Sequence, residues 1–148
     1  MSGASFEITL DGLAFVQHRL AKLSAIDTRK LLRHVGAIAE SQTRRRINKE
    51  RTAPSGEPWE PLSKKYAAWK STKSRGGLLR LYTHLLDSIT YEVNGDEVLI
   101  GTNVIYGATN QYGSEDGRIP ARPYLGLSSE NQDDLEKEIV SWLDKVTR

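Results

Sequence analysis

Residues 86–128, LDSITYEVNGDEVLIGTNVIYGATNQYGSEDGRIPARPYLGLS, decide how the rest of the chain is read. Ile89, Tyr91 and Val93 alternate onto one face of a strand. Val98 and Ile100 then alternate with Glu97, Leu99 and Gly101 in a second. The two runs meet at Asn94-Gly95-Asp96, and an Asn-Gly step between alternating hydrophobics predicts a hairpin, because both residues tolerate positive φ. After a Gly-Thr-Asn break, the β-branched and aromatic run Val104-Ile105-Tyr106 predicts a third short strand. A polar, glycine-bearing loop follows, and then the proline- and arginine-bearing run from Arg118 to Ser128. No residue pattern here carries an active-site signature.

Outward from this segment, the periodicity changes. Toward the N-terminus, Phe6, Ile8 and Leu10 alternate and predict a short strand. Asp11 can cap a helix whose stripe is Leu13, Val16, Leu20 and Leu23. A longer helix from about Thr28 to about Asn48 carries Leu31, Leu32, Val35, Ile38, Ala39 and Gln42, and ends at Ile47. Two helices this close in sequence predict an antiparallel hairpin. Residues 48–77 lose all periodicity but hold Trp59, Tyr66 and Trp69. A loop this long is expected to be functional or disordered, and its tryptophans favour one that folds against its own domain or a neighbouring copy. Residues 78–86 predict a short helix. After the sheet, Ser129 and Gln132 have capping-box spacing, and Leu135, Ile139, Trp142, Leu143 and Val146 form the stripe of a C-terminal helix. The expectation is an α+β fold in one domain over residues 1–148: an N-terminal helical hairpin, a small antiparallel sheet, a long basic loop and a C-terminal helix.

Composition narrows the chemistry. The chain has no cysteine, which excludes disulfides, thiolate metal sites and a cysteine nucleophile. No apolar run is long enough to span a bilayer, so no membrane partner is expected, and the first residues do not read as an export signal. The three histidines, His18, His34 and His84, have no metal-ligand spacing, and structural or surface roles are expected for them. Glu115-Asp116-Gly117 reads as a solvated turn, and Gly101-Thr102-Asn103 lacks the further glycines and lysine of a phosphate loop. Ser63 and Ser88 lack a nucleophile-elbow context. No enzyme activity, cofactor or metal is expected.

Charge distribution says more. From Arg44 to Arg80, eleven Lys or Arg stand against three Glu; from Ser129 onward, six acids stand against three basic residues. Arg44, Arg45, Arg46, Lys49, Arg51, Lys64 and Lys65 are therefore candidate polyanion contacts, with aromatics available to stack on bases. Two other readings stay open: a solvated helix end, and a basic surface that meets the acidic C-terminal helix of a neighbouring copy.

Three pieces in this order and spacing resemble the phage virion morphogenesis family, the tail completion proteins of Mu-like and related tailed phages. They are Gly56-Glu-Pro-Trp59-Glu-Pro-Leu62-Ser63; Asp87-Ser-Ile-Thr-Tyr91 with Val98 to Tyr106; and Gln111-Tyr-Gly113 followed by Ile119 to Ser128. Trp59 matches the family's G-x-P-W-x-P-L loop. Tyr106, Gln111 and Gly113 match its Y-A-x-x-H-Q-x-G stretch, and Arg122, Pro123 and Tyr124 match its A-R-P-F/Y-L-G turn. Gly107 stands where the family usually has Ala, and Asn110 where His is common. The resemblance implies a non-enzymatic structural protein of the virion, made in the bacterial host cytoplasm. It would act at the head-proximal end of the tail in head–tail joining, as a homo-oligomeric ring, with a hexamer among the options. Implied partners are tail and head-connector proteins, with DNA passing through the lumen. Trp59, Trp69, Tyr106, Gln111, Arg118, Arg122 and Tyr124 become candidate assembly contacts. A DNA-binding module using residues 44–80 is the alternative.

Overall fold

A computed structural model describes residues 3–9, 28–61, 68 and 84–146. The expected helix over 11–23, and with it the helical hairpin, lies outside the described residues, as do Lys64, Lys65 and Trp69. What is described is an α+β fold: a three-stranded antiparallel sheet with helices against it. Strand β1 is Ala4–Thr9, helix α1 Thr28–Arg45, helix α2 His84–Ser88, strand β2 Thr90–Asn94 and strand β3 Glu97–Thr102. Helix α3 is Tyr106–Tyr112 and helix α4 is Ser129–Val146.

The hairpin register follows the alternation, with Tyr91 opposite Ile100 and Val93 opposite Val98. The turn differs in one residue. Asn94 is still in the ladder opposite Glu97, so Gly95 and Asp96 alone make the loop, and only Gly95 has positive φ, at 59°. A glycine at the first of two loop positions is the II′ arrangement, whose twist suits the flanking strands.

The expected third strand at Val104–Tyr106 does not form. Strand β1 takes that place, so the sheet order is β1-β3-β2, with Phe6 opposite Ile100 and Ile8 opposite Val98. The Thr102 side chain decides the outcome: its Oγ1 accepts the Val104 amide at 3.0 Å, and Gly107 N–H then donates to the Val104 carbonyl at 3.0 Å. Those bonds curl the chain out of the ladder and into α3 within three residues.

Helix α1 buries Leu31, Leu32, Val35, Ala39 and Thr43 and packs against β2, β3 and α4. The core lies between it and the sheet, joining Val98, Ile100, Ile8 and Ile89 to Leu135, Ile139 and Leu143 of α4. His34 stacks on Trp142 with ring centroids 5.8 Å apart, while the Gln42 amide donates to the Asn131 carbonyl near the other end. Helices α1 and α4 are therefore antiparallel.

Helix α4 is capped one residue earlier than expected. Ser128 Oγ accepts the Asn131 amide at 3.0 Å, and Asn131 Oδ1 accepts the Ser128 amide at 3.2 Å. This is the reciprocal capping box with Asn as the returning residue.

Helix α1 widens at Arg46–Glu50 into a single π-helical turn, closed by Arg51 N–H donating to the Arg46 carbonyl at 2.7 Å. Arg51 exits in the left-handed region at φ 54°, uncommon for a residue with a Cβ. Residues 51–61 are not shapeless. Thr52 bridges Pro58, and Ala53 and Gly56 close a turn, so the segment forms a short folded lap.

Candidate assembly surface

The lap, α1, α3 and α4 are all fastened to one segment, Ala121–Ser128. Pro120 and Pro123 have no N–H to donate, so this stretch cannot join a regular ladder, and its buried polar groups need partners from side chains. Gln111 Oε1, from α3, accepts both the Tyr124 and Leu125 amides at 3.0 Å. Arg46, at the end of α1, donates to the Tyr124 carbonyl at 3.4 Å, the Gly126 carbonyl at 2.9 Å, and Asn131 Oδ1. Trp59 Nε1 donates to the Pro123 carbonyl at 2.7 Å. In return, Arg122 reaches the lap, donating to the Glu60 carbonyl at 2.8 Å and the Pro61 carbonyl at 3.2 Å.

The geometry of one peptide unit orients the whole arrangement. The Tyr124 carbonyl and the Leu125 N–H belong to the same trans peptide and point in opposite directions. The first meets Arg46 and the second meets Gln111. The end of α1 and helix α3 therefore lie on opposite flanks of this segment.

Arg46 is a buried cation, 1% exposed. Burial pulls its guanidinium below its ordinary value, with Glu50 partly opposing that, and an arginine remains charged throughout. Tyr124 is fully buried and donates its hydroxyl to the Gly107 carbonyl at 2.8 Å. Burial holds that phenol well above its usual range, so it stays neutral. Gly107 makes this possible, because a Cβ there would lie 2.5 Å from Thr102 Cγ2 and 3.0 Å from the Tyr124 hydroxyl.

Two results should follow. Gly107→Ala and Tyr124→Phe should each destabilise the fold, by about 1–3 and about 1 kcal/mol. The double variant should lose less than the sum, because removing the hydroxyl removes one of the atoms the new methyl meets. A tyrosine whose folded pKa is raised contributes stability that is intact below about pH 10, its unfolded value, and is lost as pH rises through the folded value. Denaturant titrations from pH 9 to 11 should therefore show wild-type stability falling with pH, with a shallower fall in Tyr124→Phe.

Several candidate contacts are thus internal. Trp59, Arg122, Tyr124 and Arg46 are buried within the subunit, and Gln111 is half-buried with its amide oxygen committed to two backbone N–H groups. In this conformation the first four make their described polar contacts inside the subunit. The Arg44–Arg46 run divides by helix angle. Arg44 donates to the Ile89 carbonyl at 2.7 Å and lies 3.1 Å from Glu40, whereas Arg45 is 70% exposed and 3.7 Å from Glu50. Arg45, Lys49 and Arg51 face solvent. With Asn48, Arg44 and Leu86, the first two line a concavity of about 480 Å³.

The outward surface of α3 was not legible from composition. Among the described residues, the large hydrophobics that stand exposed are Ile105 at 91%, Tyr112 at 69%, Tyr106 at 45% and Ile119 at 42%. Ile105 and Tyr112 are seven residues apart, two helical turns on one face. The turn after α3 is tightly bonded. Ser114 Oγ donates to Asp116 Oδ1 and accepts the Ile119 amide, while the Ser114 amide donates to the Ile119 carbonyl. The Ser114 hydroxyl and the Arg118 amide hold the Asp116 carboxyl below its usual value, and Arg118 pairs with it at 3.5 Å in the open.

An exposed apolar patch on a rigid mount is the pattern by which protein-interaction sites are recognised. The phage virion morphogenesis family pattern matches residues 11–144, and the chain belongs to that family. It is 41% identical over 87 residues to the Mu-like prophage FluMu G protein 2 of Haemophilus influenzae, covering 55% of this chain and 63% of that relative, under two thirds of its length. To the "Putative capsid assembly protein G" of Escherichia phage Mu it is 30% identical over 115 residues, 72% of this chain and 74% of the relative. To the Mu-like prophage FluMu G protein 1 it is 26% identical over 137 residues, 90% and 92% of the two chains. No solved structure matches significantly.

Proposed function

We propose that this chain is a structural subunit that completes the head-proximal end of a phage tail and enables head–tail joining. It works by associating with copies of itself in a ring and with tail and connector proteins, and it catalyses no reaction. Family membership supports the virion role, and the observation that carries self-association is the exposed Ile105–Tyr106–Tyr112–Ile119 patch on a bonded framework. A ring closes through heterologous contacts, one surface meeting a different one on the next copy. Light scattering on the purified chain should show oligomers of ring size, and lysates lacking it should accumulate separate heads and tails. A strictly monomeric chain, with normally joined particles in its absence, would sink the proposal.

The second reading, contact with DNA, rests on the exposed Arg45, Lys49 and Arg51. It is tested by fluorescence anisotropy with duplex DNA at two salt concentrations. Binding whose salt slope falls by about one for each of these residues changed to Ala would promote it. Arg46→Ala is not a usable probe, because that side chain is internal.

A further inference from the structure

We infer that the subunit contact joins the α3 patch and its acidic turn on one copy to the basic concavity at the end of α1 on the next. This rests on the self-association reading and names its two surfaces. The first surface is apolar with an acidic edge: Ile105, Tyr106, Tyr112 and Ile119 are exposed, and Tyr112 lines a shallow concavity of about 690 Å³ with Glu115 and Asp116. The second is concave and cationic: Arg44, Arg45, Asn48 and Lys49 surround half-buried Leu86, with Arg51 exposed at the adjoining turn. The charges are opposite: Glu115, and Asp116 with its partner Arg118, would face Arg45, Lys49 and Arg51, while the exposed apolar side chains of α3 would meet Leu86.

Their placement suits a ring. Arg46 at the end of α1 and Gln111 of α3 approach the Tyr124–Leu125 peptide from opposite sides. A copy that offers both can therefore bind a neighbour on each side. The acidic helix α4 is the weaker counterpart for the basic end. Its first turn lies against the end of α1 within the same subunit, where Arg46 binds Asn131. Ile105, Tyr112 and Lys49 are exposed, while Arg45 lies 3.7 Å from Glu50 in the open.

The chain has no cysteine, so single thiols can be introduced cleanly. Tyr112→Cys and Lys49→Cys proteins, each alone and then mixed, are treated with a short bismaleimide. Cross-linked dimers are expected in the mixture and not in either protein alone, and a chain with both changes should give a ladder. Tyr112→Cys linking to itself would mean a two-fold contact and overturn the inference. An unlinked mixture that still scatters as an oligomer would overturn these surfaces while leaving self-association standing, and a monomer would remove both.

Charge reversal gives an independent arm. Glu115→Lys should weaken assembly several-fold, and adding Lys49→Glu should restore it. Failure to restore, with each variant folded by circular dichroism, would also overturn the proposal.

Discussion

Replacing Arg46 with Met is expected to cost about 3–5 kcal/mol of unfolding free energy, because it takes a donor from three acceptors, only one of which, Asn131 Oδ1, keeps another in the Ser128 amide. These are the carbonyls of Tyr124 and Gly126 and Asn131 Oδ1, which come from the turn and the α4 cap. The apolar stem of Met would keep part of the packing, so the loss reports the polar contacts. A lysine could satisfy one acceptor but not the planar fork, and Arg46→Lys should lose at least half as much. Arg45→Ala, one residue earlier and largely exposed, is the control and should change stability by under about 0.5 kcal/mol. For a chain of this size the Met variant should melt about 10 °C lower. Urea titration with an unchanged slope would assign the loss to the folded state. A loss below about 1 kcal/mol would show that water serves these carbonyls and that Arg46 fastens nothing.

That prediction was open to the sequence in one respect and closed in another. Arg44-Arg45-Arg46 reads as a charged helix end, yet Ala39, Thr43 and Arg46 are spaced four and three, which puts Arg46 on the buried stripe and turns Arg45 away. The periodicity that found Leu31 and Val35 also held the signal for a buried arginine; the residue type hid it. Its partners were not legible, because Tyr124 and Asn131 lie 78 and 85 residues away. The hairpin register was legible because period-two alternation leaves one choice once the turn is placed. The third strand was misassigned because Val104-Ile105-Tyr106 has strand-like residues, whereas a local side-chain bond from Thr102 and a remote partner, β1, settled the matter. The candidate site shows the same divide. Motif residues Trp59, Arg122 and Tyr124 stood out because they build the framework, and a framework is buried. Of the residues presented outward, Ile105 reads as part of a strand and Tyr112 as part of a polar loop, and α3 places them two turns apart on its exposed side.

Trp59→Ala should be the other large loss, about 3–5 kcal/mol, since Trp59 is 6% exposed and belongs to the main core. Trp59→Phe separates two contributions. It keeps most of the ring packing but removes the donor to the Pro123 carbonyl, and should cost about 1–2 kcal/mol. The effect should also be local. The lap is held from one side by Trp59 and from the other by Arg122, through the Glu60 and Pro61 carbonyls. Freeing the first anchor leaves the second gripping a segment that no longer sits in place, so Trp59→Ala and Arg122→Ala should combine to less than their sum. Limited trypsin digestion reads the lap directly. Arg51 is exposed but its carbonyl accepts the Trp59 amide at 3.1 Å, so cleavage after it requires the lap to open. Cleavage there should quicken in Trp59→Ala under conditions where the rest of the chain stays folded. If the Ala variant unfolds as a unit, with no early cut at Arg51, then the lap is part of the cooperative core, and Trp59 secures more than the loop that carries it.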